Sequence, residues 1–128
     1  VRALRKSLDW WTETLGFGEP SLWGDPPEFA IIGRDGARIM LGQAKDGCSI
    51  DANHAGRAGL CDAYFWVDDA RTLAGNMAER GAIMEYDVAL QDYGVLEFGV
   101  RDPEGRVISF GEIVGNKQGR PGALDCPP

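Results

Sequence analysis

Apolar residues recur at Leu4, Leu8, Trp11 and Leu15, in steps of four, three and four. This is the stripe of an amphipathic helix, and Gly16 stands where such a helix stops. The pattern then changes. Residues 21–24 read as a short strand closed by Pro26-Pro27. Residues 29–32 and Ala37–Gly42 read as two strands joined at Arg34-Asp35-Gly36, an Asp-Gly between β-like runs being a hairpin signal. Residues 44–60 are polar, glycine-rich and aperiodic, and are expected to form a loop linking two halves. A further β-like run covers residues 61–67 and includes Tyr64, Phe65, Trp66 and Val67. Asp68-Asp69 then caps a second helix, with Leu73, Met77 and nearby alanines as its stripe and Gly81 at its end. Three more strands are expected at about Ile83–Leu90, Val95–Arg101 and residues 106–112. The Asp102-Pro103-Glu104-Gly105 turn joins the last two and reads as purely structural.

The order is helix and three strands, a loop, then strand, helix and three strands. The second half is a complete β-α-β-β-β unit. The first is the same unit without its opening strand, of which Val1-Arg2 is a stub. The pattern therefore predicts an α+β domain over residues 1–114, with modules at about 1–43 and 61–114. Residues 115–128, rich in glycine and proline, are expected to be a flexible tail.

Composition narrows the partners. With 128 residues, the chain is long enough to bury one core of its own. Thirteen Lys and Arg against 20 Asp and Glu leave a net charge of −7, so the basic footprint that nucleic acid needs is absent. No run approaches the ~20 apolar residues of a membrane span. The basic start at Arg2, Arg5 and Lys6 does not lead into a signal-peptide core. Cys48, Cys61 and Cys126 show neither an even count nor CxxC spacing, so free thiols in a reducing, cytoplasmic setting are expected. His54, the single histidine, falls in the linking loop and reads as a surface residue.

Three segments carry a resemblance. Ser7-Leu8-Asp9-Trp10-Trp11 with Leu15-Gly16-Phe17 is similar to the first helix of the glyoxalase / bleomycin-resistance / dioxygenase superfamily. Phe65-Trp66-Val67-Asp68-Asp69 resembles the strand and helix cap that open its second module. Residues 97–105, Glu-Phe-Gly-Val-Arg-Asp-Pro-Glu-Gly, followed by Ile108-Ser109-Phe110-Gly111-Glu112, resemble its closing segment. The resemblance implies two βαβββ modules whose sheets curve around a concave cavity. In the metal enzymes of that superfamily, inward positions on the opening and closing strands of each module bind the ion. The first of these falls upstream of Val1. The others correspond to Met40, Asp62 and Ser109, where those enzymes carry Glu, His and Glu. A thioether and a hydroxyl are poor ligands for such ions, so neither a metal nor another cofactor is expected.

Strand alternation sorts the remaining residues. Ile39, Leu41, Phe65, Val67, Phe98, Val100, Ile108 and Phe110 fall on one face, expected to pack on the helices. Arg38, Met40, Asp62, Tyr64, Trp66, Glu97 and Ser109 fall on the other, a mixed aromatic and polar surface suited to a small organic ligand. In the functional reading, Asp62 and Glu97 are pocket carboxylates and Tyr64 and Trp66 a stacking wall. In the structural reading, the acids pair with Arg38 or face water, and the rings fill an interface. The resemblance implies metal-independent binding that sequesters a small molecule or antibiotic in clefts shared by a homodimer, and the acidic charge with the carboxylate–aromatic face suits a cationic aromatic compound. A metal-dependent lyase, isomerase or dioxygenase is the alternative, and a domain that only mediates association is a third.

Overall fold

The computed structural model describes residues 1–57 and 59–114. The first helix starts as α1 (Leu4–Asp9) and widens into a π-helical turn over Trp10–Thr14, where the Leu15 N–H reaches the Trp10 carbonyl at 3.3 Å. Its stripe is the buried one: Leu4, Leu8, Trp11 and Leu15 are each at most 3% exposed. Gly16 then turns the chain at a φ of +74°, a conformation glycine adopts without strain.

The helix start has no cap from its own sequence. The distant turn after the sixth strand supplies one instead. The Glu104 carboxylate accepts from the N–H groups of Arg2 (2.8 Å) and Ala3 (3.0 Å) and from the Ser7 hydroxyl (3.3 Å). The Gln43 side-chain carbonyl accepts from the Leu4 N–H at 2.9 Å. Donors that the first turn leaves without intrahelical partners are thereby satisfied across the domain.

Three antiparallel strands follow: β1 (Ser21–Trp23), β2 (Phe29–Arg34) and β3 (Ala37–Gly42), in that spatial order. Asp35 and Gly36 both take positive φ, 49° and 85°, as the two-residue turn between twisted strands requires. At the end of β3, Val1 donates to the Gly42 carbonyl and accepts from the Ala44 N–H, each at 2.7 Å. These bonds straddle Gln43 as a parallel strand would, in keeping with Val1 as a strand stub.

The linking segment is not wholly irregular. It contains one short turn of helix, α2 (Asn53–Gly56), held by the His54 Nε2 atom at 2.7 Å from the Gly105 carbonyl. His54 is thus a tether between the loop and the turn at residues 102–105, beyond what a surface residue would be. The second half comprises β4 (Ala63–Trp66), α3 (Ala70–Glu79), β5 (Ile83–Leu90), β6 (Val95–Arg101) and β7 (Val107–Ile113). Their order is β4-β7-β6-β5, with β4 parallel to β7 and the other pairs antiparallel. Asp69 caps α3 by accepting from the Thr72 N–H at 3.1 Å, and Glu112 accepts from the Ala70 N–H at 2.8 Å.

All eight residues of the expected apolar face belong to the core or pack against it. Trp11 from the first helix meets Phe17 and Phe65 edge-on, and Phe65 and Phe98 each stack on Phe110. One aromatic layer therefore joins the first helix to the second sheet. Cys48 and Cys61 are free thiols, and the expected tail at 115–128, with Cys126, lies outside the described residues. Among those residues no helix is long and apolar enough to cross a membrane.

Candidate functional site

The four-stranded sheet has two unlike faces. One carries the phenylalanine core. On the other, strand register sets two rows: Tyr64, Ser109, Gly99 and Tyr86 in one, and Trp66, Gly111, Glu97 and Ala89 in the next. Glu97, 9% exposed, is the centre. Its Oε1 accepts from the hydroxyls of Tyr64 (2.7 Å) and Tyr93 (2.8 Å), and its Oε2 from Tyr86 (2.8 Å). The Ser109 Oγ lies 2.9 Å from the Tyr86 hydroxyl. These are the three tyrosines of the chain, and all meet on one carboxylate.

Two glycines make room for this convergence. A Cβ on Gly99 would run into the Tyr86 ring, and one on Gly111 into the Tyr64 hydroxyl. The rings cross bare backbone to reach Glu97. Trp66 extends the surface: it is 40% exposed and meets Tyr64 edge-on at 5.2 Å.

The electrostatics favour holding charge over moving protons. Burial, and with it hydrogen bonding to Glu97, pushes the Tyr93 phenol up to about 12. The same causes push Tyr64 higher still. Tyr86 also rises, through burial and against the opposing pull of its Ser109 contact. Phenols that keep their protons, around a carboxylate already receiving three donors, are poorly matched to acid–base work at neutral pH, which calls for a pKa near the operating pH.

Of the expected site residues, Tyr64, Trp66, Glu97 and Ser109 are brought together. Asp62 is engaged elsewhere. Its Oδ1 accepts from the Asn53 N–H at 2.9 Å and its Oδ2 from the Val107 N–H at 3.0 Å, which fastens the linking loop to the start of β7. Arg38 and Met40 lie on β3 in the other sheet, both exposed, and Arg38 forms no salt bridge among the described residues. Tyr86 and Tyr93 are members of the cluster that the sequence pattern does not identify. Tyr86 shares parity with the core residues Met84 and Val88. Register shifts on either side of it, between Met84 and Tyr86 and between Tyr86 and Ala89, turn it to the Glu97 face.

The three readable metal positions do not fit a divalent ion. The Met40 thioether is on a residue 66% exposed, the Asp62 carboxylate is engaged by backbone, and the Ser109 hydroxyl is bonded to Tyr86. Among the described residues no three His, Cys, Asp or Glu side chains are grouped to hold a metal.

Two clefts flank the cluster. One of about 500 Å³ opens on the helix side, over Phe17, Phe65 and Phe110, and reaches Trp66 at the edge of the sheet. Its rim charges are largely engaged with neighbours: Arg34 with Asp35 and the Leu15 carbonyl, and Asp69 with Thr72. A smaller one of about 220 Å³, lined by Met40 and Asp62, separates β3 from β4. Glu97, Ser109 and the three tyrosines line neither cleft and are marked by convergent chemistry.

No protein-family model and no curated protein matches the sequence. Solved structures do match the fold. The glyoxylase/bleomycin resistance protein/dioxygenase domain from Frankia sp. EAN1pec is 25% identical, with 91% of this chain and 87% of that one covered and a TM-score of 0.66. A glyoxalase-related enzyme from Clostridium phytofermentans is 14% identical over 89% of each chain, with a TM-score of 0.69. Lactoylglutathione lyase from Agrobacterium tumefaciens is 18% identical over 88% and 87%, with a TM-score of 0.64. Paired with two βαβββ-type halves and the three sequence segments noted above, these likenesses identify the fold of this chain as that of the glyoxalase / bleomycin resistance protein / dioxygenase superfamily.

Proposed function

We propose that this protein binds a small, cationic aromatic molecule without a metal, on the sheet face centred on Glu97, and sequesters it rather than transforming it. The observation that carries the reading is the convergence of Tyr64, Tyr86 and Tyr93 on one carboxylate beside the half-exposed Trp66. A negative centre in an aromatic surface attracts a flat cation twice, through the rings and through the charge. The poor fit of Met40, Asp62 and Ser109 to an ion supports a metal-free mode. The fold alone leaves the choice open, because it hosts enzymes and binders alike.

The test is a tryptophan-fluorescence titration of the parent, Trp66→Ala and Glu97→Gln with bleomycin and other cationic planar compounds. Loss of the ring contact is worth ~0.5–2 kcal/mol, and loss of the charged hydrogen bond ~1.5–3 kcal/mol. Each variant should therefore bind several-fold to more than tenfold more weakly, given that about 1.4 kcal/mol is one decade. Folding is checked first by circular dichroism. Equal binding by all three proteins would move the site elsewhere. Metal analysis returning about one transition ion per chain would favour the metal-dependent lyase, isomerase or dioxygenase instead.

A further inference from the structure

Tyr64, Tyr86 and Tyr93 bring three hydroxyl protons to one carboxylate, with the Ser109 hydroxyl behind Tyr86, and the hydrogen-bond partners fix where each proton goes. Tyr64 and Tyr93 donate to Glu97 Oε1, and Tyr86 donates to Oε2. Tyr86 has a single proton and spends it on Glu97, so across the 2.9 Å contact the Ser109 hydroxyl is the donor and the Tyr86 oxygen the acceptor. No hydroxyl proton of the cluster is left over. What the phenol oxygens offer a newcomer is lone pairs. A carboxylate has about four acceptor positions, and three here are filled, which leaves one on Oε2. The face is thus negative and almost wholly accepting. The Trp66 indole N–H adds one donor, too little to hold an anion beside Glu97.

Resting on the proposed function above, we infer that the ligand is held by N–H donors of a protonated amine: an arylalkyl ammonium ion with at least one N–H, not a quaternary ammonium ion and not a carboxylate or phosphate. Aromatic rings alone would accept a quaternary ion as readily, since ring attraction needs only charge. The open position on Oε2 and the phenol lone pairs make the difference, because a charge-assisted hydrogen bond needs a proton to share. Since only one carboxylate position is open, a forked guanidinium cannot pair with both oxygens.

Isothermal titration calorimetry with four naphthylmethyl probes separates the possibilities: the primary ammonium, its N,N,N-trimethyl form, its N-acetyl amide, and naphthylacetate. The primary ammonium should bind about tenfold or more tighter than the trimethyl and acetyl probes, with no measurable binding of naphthylacetate. Glu97→Gln should bring the ammonium and trimethylammonium affinities to within about twofold of each other. Should that variant not fold, Tyr93→Phe gives a second reading. It frees a position on Oε1, so the preference for the ammonium should widen, and a narrowed preference overturns the inference. If the trimethyl probe binds the parent as well as the primary ammonium, the inference fails while the proposed cation site stands. Preferential binding of naphthylacetate, or no binding of any probe at millimolar concentration, overturns both.

Discussion

A phenol that donates to a buried carboxylate resists ionisation, because a second negative charge beside the first would be forced into a medium that solvates neither. All three tyrosines of this chain are in that position, so their titration reports on one cluster without background. For Tyr93 the phenol rises from 10.0 to about 12, through burial first and Glu97 next. The stabilisation is complete below pH 10 and is lost as pH climbs through 12. Tyr64 and Tyr86 are displaced further in the same direction. Spectrophotometric titration should therefore show no tyrosinate in the folded protein at pH 10, with ionisation near 12 or on alkaline unfolding. One phenol titrating at 10 would remove it from the cluster. Gly111→Ala tests the same geometry from beneath, since its methyl would collide with the Tyr64 hydroxyl and the Val95 side chain. Overpacking of this kind costs about 1–3 kcal/mol, readable by urea unfolding, and should release one tyrosine to ionise near its ordinary value. A variant as stable as the parent, with three silent tyrosines, would show that the ring has room to spare.

At the scale of elements, long-range partners decide what local pattern leaves open. The stripe of the first helix and the alternation in β3, β6 and β7 are legible because each element turns one apolar face to a shared core, while β6 and β7 set glycine and polar residues on the other face, itself buried under the tyrosine rings. The position of Tyr86 is not legible. Two register shifts against β6 override the period of two, and nothing in the local run from Ile83 to Leu90 announces them. Tyr93 lies outside any strand, in the turn before β6, so alternation is silent about it. Asp62 shows the converse: its parity with Tyr64 and Trp66 is plain, yet two backbone N–H groups claim its oxygens. The turn at residues 102–105 is structural in a more specific way than its sequence suggests. Glu104 is the cap of α1, and although burial works against ionisation, the N–H groups of Arg2 and Ala3 and the Arg106 side chain pull its carboxyl down to about 2. A depressed acid stabilises the fold above its unfolded value of 4.5, and this is lost as pH falls from there through 2. Glu104→Gln should cost about 0.5–2 kcal/mol at pH 7, as lost caps do, with a smaller deficit against the parent in melts at pH 2.5. An equal deficit at both pH values would mean that the carboxylate charge is irrelevant to the cap.

The whole molecule keeps apolar side chains at its open edges. Met40 on β3 is 66% exposed, as is Ile83 on β5, and Leu90, also on β5, is 64% exposed. Both strands are the outer members of their sheets. Edge strands that protect a monomer usually carry lysine, proline or a tight bulge at such points. Here β5 has its shifts around Tyr86, yet both of its ends remain apolar and accessible. A second copy would cover these positions and give the Glu97 face an opposite wall, as the expected homodimer with shared clefts requires. The net charge of −7 sets a condition on that contact: it must be made by the apolar strips, because like-charged surfaces repel. Light scattering on the purified chain should accordingly return about twice 13.9 kDa, and raised salt should strengthen the association rather than dissolve it. Met40→Lys and Leu90→Lys each place a charge on an exposed edge position, where the folded monomer tolerates it at within about 0.5 kcal/mol. At least one should shift the measured mass toward 13.9 kDa at unchanged thermal stability, and the one that does identifies the edge in use. A parent that stays at 13.9 kDa at high micromolar concentration in both low and high salt would leave each Glu97 face to act alone.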